Sequence, residues 1–136
     1  MSTNPSITKT VSIDRPCEEV YAFLADPANW PEWAVVNVRS IEPTDDPDWW
    51  LMSTPIGPAR LRLRAHAEFG ILDHDYVDDV ASWSVPARVI PNGDGAEFMI
   101  TFHRPPSLTE AFFKEQTDLV DTELAALKRV LESGRA

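Results

Sequence analysis

The sequence predicts an α+β fold, a sheet wrapped around one long C-terminal helix. Two observations carry that reading. The stretch from Ser107 to Ser133, SLTEAFFKEQTDLVDTELAALKRVLES, is the one segment long and periodic enough for an extended helix. At about 100° per residue, Phe112, Phe113, Leu119, Val120, Leu124, Leu127, Val130 and Leu131 gather on one face. Lys114, Asp118, Asp121, Lys128, Arg129 and Glu132 lie opposite or at its borders. An apolar stripe that wide needs a broad partner surface. The rest of the chain supplies one, because it reads mostly as alternating strands punctuated by proline and glycine.

Composition bounds the function classes. The 136 residues are expected to form one domain spanning 1–136, and a chain of that length buries about two-thirds of its unfolded surface. Apolar residues make up 43% and charged residues 25%, as in ordinary globular proteins. A formal net charge of −10 argues against a nucleic-acid partner and against docking on anionic membrane. A single cysteine, Cys17, allows no internal disulfide and fits a reducing compartment. The opening MSTNPSITKT has no apolar signal core and no run reaches membrane-spanning length, so a cytoplasmic location is expected. Nothing in the sequence sets the oligomeric state.

In order along the chain, Ile7 to Ile13 alternates as a half-buried strand, with Lys9 the exception. Pro16 suits a first helical position, and Cys17 to Ala25 puts Val20, Phe23 and Leu24 on one side of a short helix. In DPANWPEWAVV two prolines break the chain, and Asn29 is placed to cap a single turn carrying Trp30 and Trp33. Val35 to Glu42 reads as the second strand and Trp49 to Thr54 as the third, with PTDDPD as the turn between them. Trp49 and Trp50 are consecutive, so one is expected inward and one outward.

The segment IDRPCEEVYAFLADPANWPEW resembles the N-terminal signature of the START-like, polyketide cyclase/dehydrase (SRPBCC) superfamily, a strand and a helix leading into an Asp-Pro…Trp…Trp turn. PARVIPNGDGAEFMITFHRPPSLTEAFF, leading into the long helix, is similar to the same group. The resemblance covers nearly the whole chain. It implies a helix-grip fold, a curved antiparallel sheet around the C-terminal helix with an internal cavity, and two short helices after the first strand. The group holds lipid carriers, hormone receptors, aromatic cyclases, chaperone activators and oxygenase domains, with no universal catalytic residue.

Arg60 to Glu68 alternates strictly and Gly70 supplies the turn. A two-residue Phe69-Gly70 loop pairs His66 with Asp73 and Arg64 with Asp75, setting acids against bases on the solvent face. Leu72, His74 and Tyr76 then share the apolar face with Leu63, Ala65 and Ala67. A one-residue slip would bury both aspartates instead. The run Arg60, Arg62, Arg64 is thus expected to be a salt-bridged surface. The last hairpin joins Ala81–Ile90 to Ala96–His103 through PNGDG. With Pro91 opposite Ala96, Val85, Ala87 and Val89 share a face with Phe98, Ile100 and Phe102, which is taken as core; Met99 and Thr101 would also be acceptable inside. Pro105 and Pro106 end that hairpin, Ser107 and Glu110 spell a capping box, and Gly134 sits where a helix stop belongs.

Within roughly 30° of the centre of the helix's apolar face, at 100° per residue, lie Gln116 and Glu123, flanked by Phe112, Val120, Leu127 and Val130. A helix that only fills a core rarely puts a carboxylate there, because an unpaired buried charge is costly. Either Glu123 reaches solvent or a local partner, or Gln116 and Glu123 line a wet cavity opposite His74 and Tyr76; in the second case burial raises the Glu123 pKa unless a cation offsets it.

The candidate ligand-binding set is therefore His74, Tyr76, Gln116, Glu123, Trp30, Trp33, Leu63, Ala65, Phe112 and Val120. Candidates for acid–base catalysis are His74, Tyr76 and Glu123. Packing competes with function at most of these positions, since buried His, Tyr and Trp are commonly structural. No metal is expected, because a strand turns His74 away from Asp73 and Asp75, while His66 and His103 lack ligand spacing. The paired histidines of the oxygenase branch are absent. No cofactor is expected either, as there is no phosphate loop, dinucleotide fingerprint or GxSxG. Cys17 has no identifiable activating partner and reads as structural. Three functions follow: binding a small hydrophobic or aromatic molecule in the cavity, a polyketide cyclase or dehydratase using the cavity's acid–base groups, or an interaction module of the chaperone-activator type.

Overall fold

The computed structural model describes residues 2–133. The elements run β1 (Ser6–Ile13), α1 (Cys17–Leu24), a 3-10 helix (Pro27–Glu32), β2 (Ser40–Pro43), β3 (Trp50–Thr54), β4 (Gly57–His66), a 3-10 turn (Ala67–Phe69), β5 (Ile71–Val77), β6 (Ser82–Val85), β7 (Ala87–Asn92), β8 (Gly95–His103) and α2 (Glu110–Glu132). The strands form one antiparallel sheet in the order β1-β8-β7-β5-β4-β3-β2, with β6 paired to β5 off that path. This is the helix-grip architecture, with α2 held by the sheet.

Several local expectations shift, each for a physical reason. α2 is capped by Thr109, whose hydroxyl accepts from Phe112 N at 3.1 Å, and not by Ser107 with Glu110. Leu108 is buried and takes the position before the cap, so it and Phe113 stand where a hydrophobic staple fixes a helix entry. The proposed stop at Gly134 lies outside the described residues. Asp26, not Asn29, caps the Pro27–Glu32 turn, accepting from Ala28 N at 3.0 Å. The second strand begins at Ser40 rather than Val35, because the backbone before it is engaged elsewhere.

The β4–β5 register is two residues from the predicted one: Arg64 faces Asp73 and Arg62 faces Asp75. Ala67–Phe69 winds into a 3-10 turn closed by Gly70, so the loop is longer than two residues. Gly70 has φ +67°, and a Cβ there would lie 2.2 Å from Val89 O, whose own N–H donates to Gly70 O. A shift of two preserves the faces, so His74 and Tyr76 still point inward with Leu61 and Leu72. Asp75 accepts from both Arg62 and Arg64 at 2.7–3.2 Å. Arg60 and Arg62 also lie over Trp49, each 5.0 Å from its ring, which fixes that tryptophan on the outer face.

The long Ala81–Ile90 strand divides at Pro86, which has no N–H to give a ladder. Asp73 accepts from Ala87 N at 2.9 Å, and Pro86 O accepts from Thr101 N at 2.9 Å. The break lets β5 pair with β6 at one end and touch β7 at the other. β7 and β8 pair with Pro91 opposite Ala96, and Phe98 and Ile100 are buried.

α2 is fastened to β1 along its second half. Lys9 pairs with Asp121 at 3.2 Å, Lys128 donates to Ser12 O at 2.7 Å, and Glu132 accepts from Asp14 N at 2.8 Å. Leu124, Leu127 and Leu131 there join the core of Ile13, Val20 and Leu24. Near its start, Phe113 stacks on Trp83 at 5.8 Å and 11°.

Candidate functional site

The first half of α2 stands off the sheet, leaving a cavity of about 250 Å³. Its floor is the inward face of the strands, including Met52, Leu61, Val85 and Ile100. Its roof is Phe112, Gln116, Val120 and Glu123 of α2, and Trp30 and Trp33 from the 3-10 helix close one end. At the other edge Ile56 and Val80 line the space while remaining 56% and 52% exposed, which marks an apolar mouth between the β3–β4 and β5–β6 turns.

Few polar groups interrupt these walls. Glu123 is 4% exposed. It accepts from Val36 N at 3.2 Å, Asn37 N at 3.0 Å and Asn37 Nδ2 at 3.2 Å. These donors help explain why residues 35–39 do not form a strand: a carboxylate from the far end of the chain holds the N–H groups of Val36 and Asn37, and Val38 N donates back to Ala34 O. Burial still pushes the Glu123 pKa up, with the Asn37 and Val36 donors opposing it only in part. No cation among the described residues pairs with it.

His74 is 6% exposed and lies edge-on to Trp30 at 5.0 Å and 83°. Its Nδ1 is 3.0 Å from Leu72 O, and since a carbonyl only accepts, Nδ1 carries the proton. Burial lowers its pKa, so the ring is neutral and Nε2 keeps an open lone pair. Tyr76 donates its hydroxyl to Asp78 Oδ2 at 2.7 Å, while Asp78 Oδ1 accepts from Val80 N and Ala81 N at 2.7 and 2.8 Å. Burial, then the Asp78 hydrogen bond, raises the Tyr76 pKa well above that of a free phenol. Of the three acid–base candidates, Tyr76 has its proton committed and Glu123 is ringed by donors. His74 alone retains an unengaged nitrogen.

Trp33 adds a different feature. It is 3% exposed, and its Nε1–H has no hydrogen-bond partner among the described residues. Trp30, by contrast, donates Nε1–H to Leu24 O at 2.9 Å. A buried unpaired donor costs about 1–3 kcal/mol.

His74, Tyr76, Gln116, Glu123, Trp30, Trp33, Phe112 and Val120 all line the cavity. Leu63 and Ala65 do not, which corrects their inclusion. Ala65 faces Leu72 near the tip of the β4–β5 hairpin, away from the cavity, where Tyr21 of α1 donates to Ile71 O at 3.1 Å. Leu63 packs against the core from its edge and Ala65 is exposed. Asn37, Asp78 and Trp83 line the space without having been singled out. Asp78 had a local signal in the Asp-Asp turn after β5; Asn37 had none, because its partner is 86 residues away. Cys17 sits apart from this lining, with its thiol pKa raised by burial and then by Glu18. Among the described residues no three His, Cys, Asp or Glu side chains group to hold a metal ion.

Residues 4–132 match the family model described as polyketide cyclase/dehydrase and lipid transport. The chain belongs to that family. Solved structures share the fold at low identity. An uncharacterized protein from Bacillus thuringiensis is 14% identical with a TM-score of 0.77, over 93% of this chain and 98% of that one. The di-domain ARO/CYC protein BexL of the BE-7585A biosynthetic pathway is 19% identical with a TM-score of 0.78, over 94% of this chain and 46% of BexL. A START superfamily protein from Mycobacterium smegmatis is 16% identical with a TM-score of 0.71, over 94% and 97%. No curated protein matches the sequence. As a polyketide cyclase/dehydrase family member the chain has a fold suited to enclosing a small molecule, and no helix among its described residues is long and apolar enough to cross a membrane.

Proposed function

We propose that this protein binds a small apolar or aromatic molecule in the cavity between the sheet and the first half of α2. The observation that carries the reading is the cavity itself. Its apolar and aromatic walls carry a few placed polar groups, and exposed Ile56 and Val80 flank its mouth. Ligand sites have that composition, apolar for affinity and sparsely polar for orientation. The volume of about 250 Å³ lies just below the usual range of such sites, roughly 300–1,000 Å³, which favours a compact ring system over a long acyl chain. The family's description, which includes lipid transport, and the START superfamily neighbour agree with a binding role.

Thermal unfolding with a panel of compact aromatics tests this. At a concentration near 100 times its dissociation constant, a ligand such as 2-naphthol is expected to add about 2.7 kcal/mol of stability, seen as a rise of several degrees in Tm. A flat Tm across all one- and two-ring compounds would remove the proposal.

A further inference from the structure

The cavity lining holds acids and no strong base. Asp78 and Glu123 belong to it, and no lysine or arginine among the described residues does. The chain's cations are engaged elsewhere: Arg62 and Arg64 hold Asp75, Lys9 holds Asp121 and Lys128 holds Glu132. The titratable groups of the lining are His74 and Tyr76 of β5, Asp78 just after it and Glu123 of α2. Of these His74 alone could become a cation, and burial lowers its pKa, so it stays neutral at neutral pH.

Neutral donors can also cradle an anion, but the protein's own carboxylates already engage most of those beside the cavity. Glu123 accepts from Val36 N, Asn37 N and the Asn37 amide, and Asp78 from the Tyr76 hydroxyl, Val80 N and Ala81 N. Leu108 and Phe112 bring the start of α2 to the lining, yet Thr109 accepts from Phe112 N and Glu110 occupies the first turn. Gln116 adds a half-buried amide, which carries no charge. An anion entering this space would lose its hydration and find no counter-charge, and an unpaired charge is the costliest group to bury.

We infer that the cavity excludes anions, so that an acidic ligand binds only after taking up a proton. Fatty acids and aromatic acids, though apolar over most of their surface, are then poor ligands at neutral pH. Uncharged compounds of the same shape are the better ones. The inference narrows the ligand class proposed above and rests on the cavity being the binding site. Linkage makes it measurable: a ligand held only in its neutral form has a raised pKa in the complex.

Absorbance titration with 4-nitrophenol tests it, because this phenol titrates near neutral pH and only its phenolate is yellow. Its methyl ether, 4-nitroanisole, cannot ionise and reports cavity binding alone. The dye's pKa on the protein is expected to rise by about one unit or more, a tenfold preference for the phenol. In buffer at the free dye's pKa, saturating protein should then cut the yellow fraction from half to about a tenth or less. Val120→Trp, once a thermal transition shows that it folds, should abolish this bleaching by filling the space from its roof. Three results would overturn anion exclusion and leave the cavity as the binding site. They are a yellow band unchanged or strengthened at saturation, bleaching that survives Val120→Trp, and a neutral dye that fails to bind where 4-nitroanisole or 2-naphthol does. Failure of all three compounds to bind would remove both readings.

Discussion

Glu123→Ala is expected to lower the unfolding free energy by about 3 kcal/mol, and Tm by roughly 10 °C for a chain of this size. The cause is specific. The substitution strands the N–H groups of Val36 and Asn37 and the Asn37 amide, all turned toward a carboxylate that is 4% exposed. Glu123→Gln keeps one accepting oxygen and should lose less. The pair of variants also isolates a pH effect. Glu123 has a raised pKa in the folded state, so the stability linked to its protonation is fully present below the ordinary value of 4.5 and is lost as pH rises through the folded pKa. Carboxylates with lowered pKa values, such as Asp75 beside Arg62 and Arg64, push the opposite way, so only the difference between wild type and Glu123→Gln reports this group. That difference should favour wild type most in acid and shrink as pH climbs. Urea melts across pH check it; a Glu123→Ala loss below about 1 kcal/mol would mean that these hydrogen bonds do not hold the 35–39 segment.

Val120→Trp is expected to weaken aromatic ligand binding at least 30-fold, about 2 kcal/mol, with little change in Tm. Val120 is buried in the middle of the cavity roof, and an indole there would occupy the space a ligand needs. In a tightly packed core the same insertion costs about 1–3 kcal/mol of stability; with a cavity to receive the ring, affinity falls and stability does not. Titration and melting of the one variant separate the two cases.

The sheet-and-helix plan was legible because it rests on periodicity. The α2 stripe, the strict alternation of residues 60–66 and the PNGDG turn each act locally, and each appears in the fold. The anomaly of Gln116 and Glu123 within the apolar stripe was legible in the same way, and it pointed to the cavity wall. What failed was decided at long range or by competing local chemistry. Residues 35–39 read as a strand until a carboxylate from α2 takes the N–H groups of Val36 and Asn37. Ser107 reads as a cap until Leu108 has to be buried, which passes the role to Thr109. The β4–β5 loop reads as two residues, but a 3-10 turn draws in two more, Ala67 and Glu68; the parity survived, so His74 and Tyr76 kept their side. Ala65 kept its parity as well but lies exposed near the hairpin's tip, and no pattern along one strand shows how far the covered part of it extends.

The measurement that bears most directly on the cavity as binding site is a two-dimensional ¹H–¹⁵N NMR titration with 2-naphthol, read on the indole N–H signals of the five tryptophans. Trp30, Trp33 and Trp83 line the cavity, whereas Trp49 lies outside under Arg60 and Arg62. The prediction is large, saturable shifts at Trp30, Trp33 and Trp83, with Trp49 unmoved. Shifts concentrated at Trp49, with the cavity tryptophans unmoved at saturation, would contradict the account.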